Sequence, residues 1–168
     1  NQPVFDNHKY KSAKTVIQTL ADIVSKNGNL CLSVPVRGDG TIDSDERKIV
    51  EEIGQWMQKN SEAIYDTRPW KIFGEGPAIE TAAPLTAQGF NEGKGKPFVA
   101  EDIRYTSKNE MLYAIFLGWP ADGSLLIKNL AKGKHKNISR VDLLGSGRSI
   151  PFEQQDDGLR VKLPAEIP

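Results

Sequence analysis

The sequence predicts an α/β unit followed by an all-β unit. Two apolar stripes at helical spacing, over residues 9–26 and 43–59, flank a short and nearly uncharged run at 29–34. A run of that kind, bounded by Gly28 and Pro35, reads as a strand buried on both faces, as in parallel sheets. From residue 101 onward the chain breaks into short alternating or apolar runs, and turn signals separate them: Asp122-Gly123, Gly145-Ser146-Gly147 and Asp157-Gly158. That rhythm predicts an antiparallel β-sandwich.

Residues 1–8 are irregular. Ala13, Val16, Ile17, Leu20, Ile23 and Val24 then mark one helical face, with Lys11, Lys14, Gln18 and Asp22 off it. Asn27-Gly28 ends this helix, because both residues tolerate a left-handed C-cap. The apolar strand follows, with Cys31 inside it as a small buried hydrophobe. Asp43, Ser44, Asp45 and Glu46 supply a cap and acidic first-turn residues, which suit the positive end of a helix dipole. Ile49, Val50, Ile53, Trp56 and Met57 form the next stripe, and Ala63-Ile64-Tyr65 a short extension past Asn60.

Texture changes near Thr67-Arg68-Pro69-Trp70, and residues 74–96 read as linker and loop with room for an edge strand. Strands are then expected at 103–107, 111–119, 124–130, 138–144, 150–154 and 159–163, with a Lys-rich loop before Asn137. This divides the chain into residues 1–73 and 74–168. One parallel strand makes no sheet, and the last strand leaves a neighbour's edge bare, so the pattern predicts truncation at both ends.

Composition narrows the function classes. Lys plus Arg and Asp plus Glu both number 22, and a formal charge of zero argues against bulk binding to nucleic acid or membrane surfaces. No apolar run approaches the ~20 residues that span a bilayer.

The segment SKNGNLCLSVPVRGDGTIDSDERKIVEEIGQWMQKNSEAIYDTRPW, residues 25–70, resembles the end of the barrel in family 29 α-L-fucosidases. Those enzymes carry a form such as N-G-N-L-L-L-N-V-P-P-x-x-D-G-x-I there, followed by an acidic helix, G-x-W and R-P-W. EDIRYTSKNEMLYAIFLGWP at 101–120 and LLGS at 143–146 resemble that family's C-terminal sandwich. The resemblance implies a (β/α)8-like barrel of which residues 9–59 are the last helix-strand-helix, trailed by the β-sandwich. Barrel sites lie at the C-terminal ends of strands. Ser33, Pro35 and Arg37 are therefore expected at the rim of the sugar pocket, together with Asn1, the last residue of an aromatic-Gly-Tyr-Asn segment. The family chemistry is retaining hydrolysis by a carboxylate nucleophile and a carboxyl acid/base. The resemblance places that Asp and Glu upstream of Asn1, so the chain alone is expected to be inactive. It implies no cofactor or metal. The partners implied are fucosylated glycans and the remainder of the barrel, in a secreted or periplasmic setting. Ser33 stands where Asn is common in the family, and Asp66 where Gly is common.

Other features have plainer readings. Arg37-Gly38-Asp39 is part of a loop, not an adhesion signal. Asp39, Asp43, Asp45 and Glu46 lack the Gly and the distant Glu of a calcium loop and serve turn and cap. Asp43 and Glu46 lie three apart at a helix start, with no apolar pocket to raise a pKa. His8 and His135 have no metal-ligand spacing. Lys132, Lys134 and Lys136 with His135 form either a solvated loop or an anion contact. Asn137-Ile138-Ser139 fits a glycosylation sequon. Trp56 belongs to a helix core, Trp70 to the junction between units, and Trp119 either to the sandwich rim or to a sugar-stacking platform. A non-catalytic carbohydrate-binding or structural module is the competing function.

Overall fold

The computed structural model describes residues 10–80 and 97–166. Asn1 and His8 fall outside the described residues.

Two helices come first. In α1 (Ala13–Ser25), the Ser12 hydroxyl accepts from the Thr15 amide and caps the start. At its end Gly28 N donates to the Ile23 carbonyl at 2.9 Å and Asn27 N to Val24 at 3.0 Å, with Asn27 at φ +67°. This is the paired-bond helix ending expected of Asn27-Gly28. The helix α2 (Ser44–Asn60) is capped by Asp43, whose carboxylate accepts from the Asp45 amide, and runs into a 3-10 turn, Ser61–Ala63.

The predicted strand at 29–34 does not form: residues 29–36 carry no strand, and Cys31 is exposed rather than buried. A strand buried on both faces needs neighbours to satisfy its amides and carbonyls, and the described residues offer this run none.

The β elements make two three-stranded antiparallel sheets and a hairpin. The first sheet has the order β1-β2-β3, formed by β1 (Arg68–Glu75), β2 (Ile103–Lys108) and β3 (Met111–Phe116). The position 73/74 lies inside β1, whose register on β2 shifts between Pro69 and Gly74. Pro69 is tolerated because β1 is an edge. The second sheet has the order β4-β8-β7, formed by β4 (Ser124–Ile127), β7 (Phe152–Gln154) and β8 (Leu159–Lys162). The strands β5 (Asp142–Leu143) and β6 (Arg148–Ser149) pair across Gly145-Ser146-Gly147. The Asp122-Gly123 turn forms, with Gly123 at φ +67° and its amide donating to the Pro120 carbonyl, but it closes no hairpin as its Asp-Gly signal predicts: the strands on either side, β3 and β4, belong to different sheets.

Central β2 is buried on both faces. Ile103 and Tyr105 meet Leu125, Ile127, Leu130, Leu159, Val161 and Leu163 of the second sheet in one apolar cluster. Arg104 and Thr106 point the other way, toward the helices. The first sheet is thus the middle layer, with helices on one face and the second sheet on the other.

Several expected strands are shorter than the sequence implies, because groups outside the ladder take their amides or carbonyls. The strand at 124–130 stops at Ile127 because the Glu75 carboxylate accepts from Lys128 N at 2.7 Å and Asn129 N at 2.9 Å, turning Lys128–Leu130 into a 3-10 turn. The strand at 138–144 shrinks to Asp142–Leu143, and Ile138 N donates to the Gln154 side chain instead of a ladder. The strand at 111–119 ends at Phe116: Leu117 N still bonds the Asp102 carbonyl at 2.8 Å, but Asp102 N turns back to the Val99 carbonyl and the Leu117 carbonyl accepts from Gln18.

Candidate functional site

The predicted pocket-rim residues lie between α1 and α2. Ser33, Pro35 and Arg37 are all exposed, in irregular backbone. Two apolar side chains beside them are uncovered too, Leu32 at 45% and Val36 at 65% exposure, while Leu30 and Val34 are half-buried. The loop beyond is well fixed. Arg37 N donates to the Thr41 carbonyl at 2.8 Å and Gly40 N to Arg37 at 2.9 Å. The Asp39 carboxylate accepts from the Thr41 amide and hydroxyl, the Thr41 hydroxyl foremost holding it below the ordinary carboxylate range.

Arg37 is engaged within this loop. Its guanidinium donates to Asp43 at 2.5 Å. The Asp45 amide, and then Arg37, hold the Asp43 carboxyl below its ordinary value. A general acid needs the opposite shift, so Asp43 is a cap and an ion-pair partner, not half of a catalytic pair. Asp39 and Asp43 are likewise committed to turn and cap. Among the described residues no group of three or more His, Cys, Asp or Glu could hold a metal ion.

Trp119 is in a different part of the fold. It is half-buried, packs on the cluster shared by the two sheets, and meets Phe116 edge-on with centroids 5.6 Å apart. The structure therefore brings Ser33, Pro35 and Arg37 into one loop and leaves Trp119 outside it. Trp70 is in β1, edge-on to Tyr105 at 5.0 Å and near His135 at 5.7 Å, so it packs between the two sheets.

Sequence reasoning passed over the polar side chains that join helices to sheet. Arg104, 3% exposed, donates to Asp22 of α1 at 2.5 Å and to the Ile103 carbonyl at 3.0 Å, with Phe73 and Phe98 flanking its guanidinium. Lys26 also binds Asp22 at 2.7 Å. Burial pushes the Asp22 carboxyl up, but Lys26 and Arg104 outweigh it and the net shift is downward. Gln18 donates to the Leu117 carbonyl at 2.6 Å, Thr106 to Ala63 at 2.7 Å, and the Tyr113 hydroxyl to Glu62 at 2.7 Å. Between the sheets, Glu75 accepts from the Tyr105 hydroxyl at 2.8 Å as well as from the 3-10 turn. The available signal was an arginine between Ile103 and Tyr105, on the strand face that alternation assigns away from the apolar cluster.

Two family descriptions match the chain in order: alpha-L-fucosidase over residues 4–62, and alpha-L-fucosidase C-terminal domain over residues 96–168. The chain belongs to the α-L-fucosidase family. Human plasma alpha-L-fucosidase is 30% identical over 161 residues, covering 92% of this chain and 29% of that protein. Mouse tissue alpha-L-fucosidase is 30% identical over 150 residues, covering 89% of this chain and 28% of that protein. Among solved structures, Thermotoga maritima alpha-fucosidase superposes with a TM-score of 0.71 at 27% identity, over 95% of this chain and 32% of that one. This α-L-fucosidase-family chain thus spans less than a third of the length of these relatives.

Proposed function

We propose that the chain is the C-terminal part of an α-L-fucosidase, a retaining glycosidase that removes terminal L-fucose from glycans. In this reading α1, the run at 29–34 and α2 close a (β/α)8-like barrel, and the two sheets form its trailing sandwich. The nucleophile Asp and the acid/base Glu, which retaining chemistry holds ~5–5.5 Å apart, come from sequence preceding Asn1. Ser33, Pro35 and Arg37 then edge the sugar pocket at the C-terminal end of a barrel strand, and Asn1 is assigned to the same rim from the family resemblance alone. A secreted or periplasmic setting, where fucosylated glycans are met, belongs to the same proposal.

The observation that carries this reading is the match of both α-L-fucosidase descriptions in chain order, on either side of β1. The uncovered apolar run supports it, since Leu32 and Val36 lie open to solvent where neighbouring barrel strands would cover them. The test is hydrolysis of an aryl α-L-fucoside. The chain alone is expected to give none. Coexpression with a segment supplying the relatives' first two-thirds is expected to restore it. Turnover by the purified chain alone overturns the assignment of the carboxylates, and failure of every complementing segment overturns the assignment of the chain.

A structural role within that enzyme is supported by a separate set of contacts. The first sheet grips the helices through Arg104, Gln18, Thr106 and Tyr113. The sheets thereby brace the last barrel helices without contributing a reacting group.

A further inference from the structure

The loop 131–136 joins β1 in a basic surface that the fucosidase reading does not use. Lys134 and Lys136 are exposed on it, and Lys71 of β1 reaches across to donate to the Lys134 carbonyl at 3.2 Å. None of these lysines makes an ion pair among the described residues. Next to the loop, Asp156 and Asp157 line a hollow with Lys132, and Asp157 is bound to Arg160 at 2.5 Å.

The loop is held in place rather than merely solvated. Lys132 N donates to the Gln155 carbonyl at 2.8 Å, and the Ala131 carbonyl accepts from Lys134 N and His135 N. The Gln154 amide donates to the Leu130 carbonyl at 2.9 Å and to Lys136 at 3.2 Å, and accepts from Ile138 N. His135 donates from Nδ1 to the Lys136 carbonyl at 3.0 Å, since a carbonyl can only accept. The backbone carrying Lys134 and Lys136 is thus ordered before any ligand arrives, so an anion meeting these unpaired cations costs little ordering.

We propose that Lys71, Lys134 and Lys136 form a binding surface for the sulfate groups of a sulfated glycan. The choice of a glycan rests on the fucosidase reading; the rest stands on this surface. All the cations are lysines, compact point charges that ask no planar geometry of their partner, and a sulfate ester keeps its full charge and three acceptor oxygens at any working pH. Single-stranded nucleic acid would need open aromatic faces for its bases, and the Trp70 ring is already taken by Lys71, Tyr105 and His135.

The test measures binding of the 168-residue chain to dextran sulfate, with neutral dextran, hyaluronan and duplex DNA as separate arms. Dextran sulfate is expected to bind at low salt and to release as salt rises. The double variant Lys134→Gln/Lys136→Gln is expected to bind roughly tenfold or more weakly, with an unchanged thermal midpoint. Lys48→Gln, on the exposed face of α2, is expected to bind as the parent does. Unchanged affinity in the double variant overturns the proposal, as does hyaluronan or DNA binding as tightly as dextran sulfate. Binding needs no turnover, so loss of complemented fucosidase activity with dextran sulfate binding intact counts against the enzyme assignment alone.

Discussion

Asp66 shows how a single residue records its backbone. It has φ +59°, in the left-handed region, where the family resemblance places Gly. Its side chain is 87% exposed and reaches Lys108 only at 3.5 Å, a contact worth little. Asp66→Gly is therefore expected to stabilise the fold by about 0.5–1 kcal/mol, read as a higher urea midpoint. Arg104 is the opposite case, because it is buried and paired. Arg104→Ala leaves Asp22 with Lys26 alone and opens the gap between Phe73 and Phe98, at an expected cost of about 2–3 kcal/mol. The Asp22 carboxyl is held below its unfolded value, so its contribution is present above about pH 4 and is lost as pH falls through the depressed pKa. Urea midpoints of the parent and Asp22→Asn should converge on acidification and separate again toward neutral pH. Tyr113 works in the alkaline direction. Burial, then Glu62, push its hydroxyl up to about 12, so the neutral form is favoured by folding. Its contribution is intact below pH ~10 and disappears between there and about 12. Alkaline titration of tyrosinate absorbance should show this late ionisation, and Tyr113→Phe should remove it.

Elements were legible where their signals are local. The two helices and the Asn27-Gly28 ending follow from spacing and capping chemistry, as does the Asp122-Gly123 turn. Strand lengths were not legible, because an amide's partner can come from far along the chain. Glu75 cuts β4 short from 53 residues away, and Gln154 draws Ile138 out of pairing across 16. The β1 edge strand was hidden by Pro69 and by the shifted register beside it. Its end depends on Gly76, at φ +117°, where an added Cβ would meet the Glu101 carbonyl and Asp102. Gly76→Ala is expected to cost about 2 kcal/mol or more through forced backbone strain and the displaced Asp102 carboxylate, which accepts from Ala78 N at 2.7 Å and Val99 N at 2.9 Å. Thermal melts of the purified variant check this.

At the scale of the whole molecule, the three layers meet through polar side chains that composition does not reveal. Glu75 ties β1 to the second sheet, while Arg104, Gln18, Thr106 and Tyr113 tie the first sheet to the helices. Cutting the chain after Glu80 should therefore destabilise the helical portion, seen as faster amide exchange in α1, because its partners Arg104 and Leu117 are gone. The candidate rim was legible only as a motif: Ser33, Pro35 and Arg37 share one loop, yet the apolar run there is partly exposed and forms no strand. The sequence by itself determined the family, the helices, the turns and the alternation of the strands, since each rests on neighbouring residues and short-range backbone preference. The tertiary structure decided where strands end, why Arg104 can be buried, and that 29–34 pairs with no strand among the described residues. Those outcomes depend on partners distant in the chain, whose hydrogen bonds and packing override local propensity.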